Sequence, residues 1–289
     1  MMKVGAILSK QRIWIIDSTC SFAENYLNHD KVKVLPIVTI LDEKAYREFI
    51  DLSHIDFYTK LPTLKIPPTT SQPPLNEVVE LFEKLSEDDV EAIAITLASK
   101  LSGTYQTLTM AKEMTGANVS IIDSESSAYI SYNMLQEGLR LDEQGVSTED
   151  IIKHLEEIKY NGEFYIFPKD MGQLARSGRV TGLQNFIGSL LKITPVLSVH
   201  HGMVENVDKV RSLKSAKSWL VDKYNSRIKT NKITKLCILH ANDLEAANDW
   251  KQLIEETVSS DIEVVMDSFA IAIGVHTGQG SIGVIWVYE

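Results

Sequence analysis

A chain of 289 residues is longer than one ordinary hydrophobic core organises, which implies two domains. Its 44% hydrophobic content fits a soluble globular protein. Its 39 acidic against 29 basic residues, a formal charge of -10, argue against nucleic acid as the main partner, because phosphate binding needs a basic surface.

Val- and Ile-rich runs ending in polar residues recur along the first half: IWIID (Ile13 to Asp17), VKVLPIVTI, VEAIAITLA and NVSIIDS. They read as buried strands of a parallel sheet. Between them, PLNEVVELFEKL places Val78, Val79, Leu81, Phe82 and Leu85 on one helical face. STEDIIKHLEEI opens on Ser147 and Thr148, N-cap residue types followed by acidic residues in the first turn. This alternation predicts an α/β architecture with right-handed crossovers. Near Tyr160 the pattern changes, and GEFYIFPKDMGQLARSGRVTG reads as a strand entering a glycine-bearing basic segment. After it come LLKITPVLSV, a hairpin turn at HHGMVE, the helix SLKSAKSWLVDKY, the strand KLCILH, the helix DLEAANDWKQLIEE and two final strands around TGQGSIG. The boundary is placed at 160, giving domains 1–160 and 161–289.

Ligands of open α/β sheets sit beyond the carboxyl ends of the strands. Three predicted strand ends here lead into hydroxyl clusters: DST (Asp17 to Thr19), LSGTY (Leu101 to Tyr105) and DSESSA (Asp123 to Ala128). Any one of them reads most simply as a helix cap, but together they favour a site. PPTTSQPP reads as a stiff extended loop held between prolines, with Ser71 and Gln72 also available to cap the next helix.

TSQPP, LSGTYQT, QLARSGRVTG with LKITPVL, KVRSLKSA and HTGQGSIGV occur in an order and spacing that resemble the DegV family, which includes the fatty-acid-binding subunits of bacterial fatty acid kinase. The resemblance covers nearly the whole chain. It implies an α/β protein of two domains, the N-terminal one a parallel three-layer domain with carboxylate-binding loops and the C-terminal one a mixed-sheet domain with a partner-docking surface. One long-chain fatty acid would lie between them. Its carboxylate would meet Thr70 and Ser102, supported by Ser71, Gly103 and Thr104, with Arg179 and His276 as the polar pair beside it. Arg211 would help to dock a kinase subunit, within a basic patch of Lys209, Lys214 and Lys217. No cofactor, metal or catalytic residue of its own is implied, and transient contact with a membrane surface is compatible with the reading. Physical chemistry agrees, since a carboxylate leaving water needs charge-assisted hydrogen bonds, and hydroxyls with helix-start amides supply them. Phe186, Ile187, Leu190 and Leu191 would fit the wall of an acyl tunnel or an ordinary core equally well.

Departures from the family pattern carry expectations of their own. Ser177 and Gly178 precede Arg179 where two glycines are usual. Thr277-Gly278-Gln279-Gly280 replaces a Gly-Pro-Gly turn, which is expected to loosen the positioning of His276. Tyr129 and Tyr132 stand where small residues are common and are expected to narrow the pocket.

Two rivals stay open. One is a lipid carrier without a kinase partner. The other is a serine hydrolase using Ser102, His276 and either Asp17 or Asp123, although LSGTY lacks the Gly-x-Ser-x-Gly elbow. No Walker A sequence is present, and TGQGSIG is a poor dinucleotide fingerprint. His29, His54 and His154 read as surface residues, His200 and His201 as solvated turn residues, and His240 as a strand-end capping residue. No two have metal-site spacing. Cys20 and Cys237 read as reduced thiols. MMKVGAILSK does not read as a signal peptide and no apolar run spans a bilayer, so the expected compartment is a bacterial cytoplasm.

Overall fold

The computed structural model describes residues 12–169, 171–181, 193–259 and 262–289. Phe186, Ile187, Leu190 and Leu191 lie outside them. In chain order the first half contains β1 (Arg12–Asp17), β2 (Val32–Leu35), β3 (Val38–Leu41), β4 (Lys44–Arg47), α1 (His54–Lys60), β5 (Thr69–Ser71), α2 (Leu75–Glu87), β6 (Glu91–Thr96), α3 (Thr104–Thr115), β7 (Val119–Asp123), α4 (Ala128–Glu143) and α5 (Thr148–Ile158). The second half contains β8 (Gly162–Phe167), α6 (Met171–Ser177), β9 (Val180–Thr181), β10 (Thr194–His200), β11 (Met203–Val210), α7 (Leu213–Arg227), β12 (Ile233–His240), α8 (Leu244–Thr257), β13 (Glu263–Ser268), α9 (Ile271–Thr277) and β14 (Ile282–Tyr288).

Three sheets organise these elements. A parallel sheet runs β2-β1-β6-β7, and a small antiparallel sheet runs β4-β3-β5. A mixed sheet runs β13-β12-β14-β8-β10-β11-β9. The parallel strands are apolar on both faces because both are covered. Ile13, Ile15, Ala92 and Ala94 pack with Val78, Phe82 and Leu108 of α2 and α3. On the other face, Trp14, Ile16, Ile93 and Ile95 join Met134 and Leu135 of α4. Gly138 of α4 is required there, since a Cβ would come 2.1 Å from the Trp14 ring. The same core continues into the second half, taking in Phe164, Ile166, Leu197 and Val199. Along β8 the alternate residues Tyr165 and Phe167 turn the other way, toward Leu220, Tyr224 and Trp250 beneath α7 and α8.

Several local expectations need correction. VKVLPIVTI is two strands in two sheets, because Pro36 cannot donate to a continuing ladder. PPTTSQPP is not a free loop: Thr69–Ser71 pairs with β3, and α2 starts at Pro74 without a side-chain cap from Ser71 or Gln72. The two final strands expected around TGQGSIG are β13 and β14, but the segment between β13 and the turn is α9, a buried helix the sequence reading lacks. His54 is not a surface residue, having a ring 27% exposed and bonded to a buried carboxylate. Elsewhere the local chemistry is as read. Ser147 caps α5 by accepting from the Asp150 amide, and the β10–β11 turn has left-handed backbone at His201 and Gly202.

Candidate functional site

Between the parallel sheet and the mixed sheet lies a cleft of about 700 Å³, solvent at its mouth included. Its walls are mostly apolar, from Phe164, Ile166, Leu174, Leu197, Val199 and Val204. Thr19, Thr70, Ser102, Ser127, Ser177, Arg179 and His276 also line it.

The polar residues reach the cleft from separate elements. Thr70 is on β5, paired to Thr39 of β3, and alternation along the strand turns its neighbour Ser71 to the other face. His276 is in the last turn of α9. The Thr70 hydroxyl and His276 Nε2 are 2.8 Å apart. His276 Nδ1 is buried without a hydrogen-bond partner. Burial first, and then the positive field of Arg179, push the imidazole pKa down to about 4, so the ring is neutral at physiological pH. Ser102 closes the turn after β6, its amide donating to the Ala98 carbonyl. Its hydroxyl lies 2.9 Å from that of Thr104 and accepts from the Thr104 amide at 3.3 Å. A Cβ on Gly103 would approach the Gln72 amide oxygen to 3.0 Å, so the glycine lets Gln72 lie over the turn.

Arg179 stands at the rim. Its Nε donates to the Leu101 carbonyl at 3.0 Å, tying the guanidinium to the residue before Ser102. Gly178 has φ +65°, the left-handed backbone glycine tolerates. Ser177, in place of the other expected glycine, donates to the Leu174 carbonyl and accepts from the Arg179 amide. The serine therefore ties the end of α6 to the backbone of Arg179. The turn after His276 is held without its proline: Gly280 N donates to the Ala241 carbonyl at 2.7 Å and the Ser281 hydroxyl to the Thr277 carbonyl at 2.8 Å. This corrects the expectation of a loosened turn.

Tyr129 and Tyr132 do not narrow the cleft. They pack edge-on with Phe22, away from the lining residues. Of the supporting residues, Ser71, Gly103 and Thr104 sit behind Thr70 and Ser102, outside the lining. Each strand-end cluster does contribute one hydroxyl to the wall: Thr19, Ser102 and Ser127. Thr19 and Ser127 lie in hydroxyl clusters the sequence marks as a site, but neither they nor Ser177 is assigned there to the carboxylate. For Ser127 the sequence signal is the DSESSA cluster itself, and the structure adds that Ser127 does not cap α4 through its side chain.

The hydrolase arrangement is not assembled. Asp17 accepts from the Thr19 hydroxyl and the amides of Thr19 and Leu97, and Asp123 accepts from the amides of Ser99 and Glu125. Neither orients His276, whose Nδ1 is unpartnered. Among the described residues no cluster of three metal-ligating side chains occurs, and no helix is long and apolar enough to cross a membrane. Cys20 and Cys237 are free, buried thiols. Arg211 is exposed at the β11–α7 junction and does not line the cleft, whereas Lys217 of the same basic patch is engaged by Asp249.

Comparison with known proteins follows the same outline. Residues 13–289 match the profile of the DegV family, described as uncharacterised protein. The DegV domain-containing protein BH3627 of Halalkalibacterium halodurans is 35% identical over 277 residues, 95% of this chain and 98% of its own length. The structure of DegV of Bacillus subtilis, described as a fatty acid binding protein, superposes with a TM-score of 0.85 at 30% identity, covering 97% of this chain and all of that one. The fatty acid binding DegV family protein SAG1342 of Streptococcus agalactiae gives 0.87 at 25% identity, covering 97% and 99%. With a family match over almost its whole length and these relatives, the chain belongs to the DegV family.

Proposed function

We propose that this protein binds one long-chain fatty acid in the cleft, with the carboxylate at Thr70, Ser102, His276 and Arg179 and the acyl chain along the apolar wall. The observation that carries this is the concentration of hydroxyls, one neutral imidazole and one guanidinium at a single part of an otherwise apolar cleft. The acyl chain supplies most of the affinity, at about 0.8 kcal/mol per buried methylene and roughly 10 kcal/mol for a long chain before association costs. The polar groups fix its direction. A bound carboxylate takes a hydrogen bond from the Thr70 hydroxyl, which requires His276 Nε2 to carry the ring proton and donate to Thr70. Burial of an unpaired carboxylate is costly, so these donors also select against neutral lipids. That relatives are described as fatty acid binding supports the same reading.

The two halves of the chain act as two domains meeting near residue 160, one supplying Thr70 and Ser102 and the other Arg179 and His276. The finer role is presentation of the carboxylate to an ATP-using kinase subunit that docks through Arg211. In its favour is the exposed Arg211 beside exposed Leu213 and Lys214. Acyl-phosphate formation by a bacterial fatty acid kinase subunit supplied with the loaded protein tests that role: Arg211→Ala should reduce turnover, and unchanged turnover removes Arg211 from docking.

For binding itself, the mass of the purified protein under native and denaturing conditions, with extraction of the released lipid, is the direct test. A stoichiometric fatty acid is expected in the wild type and a depleted one in the Thr70→Ala/Ser102→Ala double variant. A protein that is empty and also fails to take up added fatty acid would sink the reading.

A further inference from the structure

Both partners in the Thr70–His276 hydrogen bond trace back to one buried carboxylate outside the cleft lining. Glu48 follows β4, and its side chain is 0% exposed. Its Oε1 accepts from the Ile271 amide, the first of α9, at 2.6 Å, and lies 3.1 Å from His54 Nε2. Its Oε2 accepts from the Ser18 hydroxyl at 2.8 Å, and Ser18 in turn accepts from the Ile37 amide at 3.0 Å. Five residues along α9 from Ile271 is His276. Two residues along the chain from Ile37 is Thr39, the cross-strand partner of Thr70. One carboxylate thus fixes the start of the helix carrying the imidazole and the strand flanking the hydroxyl.

We infer that Glu48 is the positioning residue of the carboxylate site, setting the separation and alignment of Thr70 and His276 without touching the ligand. The inference rests on the fatty-acid reading above. A buried carboxylate is a poor device for stability alone, since apolar replacements of buried ionic groups are often neutral or better. Here its two oxygens are matched to donors from both sides of the cleft, the arrangement expected of a support that locks the groups in contact with a ligand. The geometry also distinguishes shape from charge. A glutamine can turn its amide oxygen toward Ile271 and His54 and its NH₂ toward the Ser18 hydroxyl oxygen, keeping the contacts of both ends with the Ser18 bond reversed, while losing the charge.

The experiment is a double-variant cycle on oleate affinity, using delipidated protein. Glu48→Ala and His276→Ala should each weaken binding about tenfold, the scale of one hydrogen bond to a charged group. The double variant should lose clearly less than the sum of the two single losses, because part of the effect of Glu48 passes through His276. Glu48→Gln should recover most of the affinity. Additive losses, or a Glu48→Gln loss equal to that of alanine, would overturn the inference. Where Glu48→Ala does not fold, Ser18→Ala removes only the link toward Thr70 and enters the same cycle. In ligand-free protein the ¹⁵N resonances of the His276 imidazole provide a second readout. They should move between the two tautomers in Glu48→Ala and stay near wild type in Glu48→Gln, and resonances unmoved by Glu48→Ala would refute the positioning role. A wild type that fails to bind oleate defeats the fatty-acid reading, while the ligand-free resonances still decide the role of Glu48.

Discussion

His54 and His276 are both withdrawn from water, and both are tied to α9, one beside the carboxylate that holds its first amide and the other within its last turn. Burial lowers the pKa of each. At His276 nothing opposes it, and the nearby guanidinium of Arg179 adds to the fall, taking the value to about 4. At His54 the hydrogen bond and charge of Glu48, helped by Asp267 and Glu24, outweigh burial and the pKa rises. Two imidazoles in similar surroundings are therefore held in opposite tendencies of charge. The difference shows that the partner, rather than depth, sets the direction of the shift. It also suits a carboxylate site, where a neutral ring relays a hydrogen bond through Thr70 and the cationic group stays at the rim.

The comparison breaks most severely if Glu48 is removed. Glu48→Ala strands the Ile271 amide and the Ser18 hydroxyl, and should cost about 3 kcal/mol of unfolding free energy in urea. It should also lower the His54 pKa, followed by ring-proton NMR titration. A His54 that stays raised would assign the effect to Asp267 and Glu24 instead.

A pH series sharpens the contrast at the next level. Below about pH 6.5 the unfolded chain protonates at position 276 while the folded one stays neutral down to about 4. Stability due to His276 therefore falls with pH across that window, by up to about 3 kcal/mol. His54 has the opposite sign. Its contribution is fully present below its ordinary value and is lost as pH rises through its raised folded value. Unfolding free energies from pH 8 to 4.5 should show His276→Gln flattening the acid side and His54→Gln flattening the neutral side. Equal effects of both on the same side would undo the assignment.

The sequence made one of these histidines visible and not the other. His276 and Thr70 stand in motifs that resemble the family's, and Ser102 lies beyond a strand end where α/β ligands collect. Runs such as IWIID and VEAIAITLA announce their strands because both faces of the sheet are covered. SFAIAIGVH gave no such announcement. Its helix is surrounded by protein, so it lacks the polar stripe that separates a helix from a buried strand. Glu48 was illegible for another reason. Besides nearby His54, its partners are 30 and 223 residues away, and no spacing rule relates an acid after an edge strand to the first amide of a distant helix. The bend at Pro36, which sends one apolar run into two sheets, was readable in principle from proline's missing donor.

The smallest effect isolates the cation. Arg179 is exposed and is the second cause of the low His276 pKa, after burial. Arg179→Met should therefore raise that pKa while leaving it below 6.5, because the buried ring remains desolvated. The rise should shrink in 1 M salt, where the Debye length falls to about 3 Å and an exposed charge is screened from the ring. Arg179→Lys keeps the charge but not the planar donor that holds the Leu101 carbonyl, so it should preserve the low pKa while loosening the turn before Ser102. If methionine and lysine shift the titration equally, the tether to Leu101 rather than the charge is what reaches His276. The rim arginine would then act on the carboxylate site through the shape of the LSGTY turn, and the electrostatic contrast between the two histidines would rest on burial and Glu48 alone.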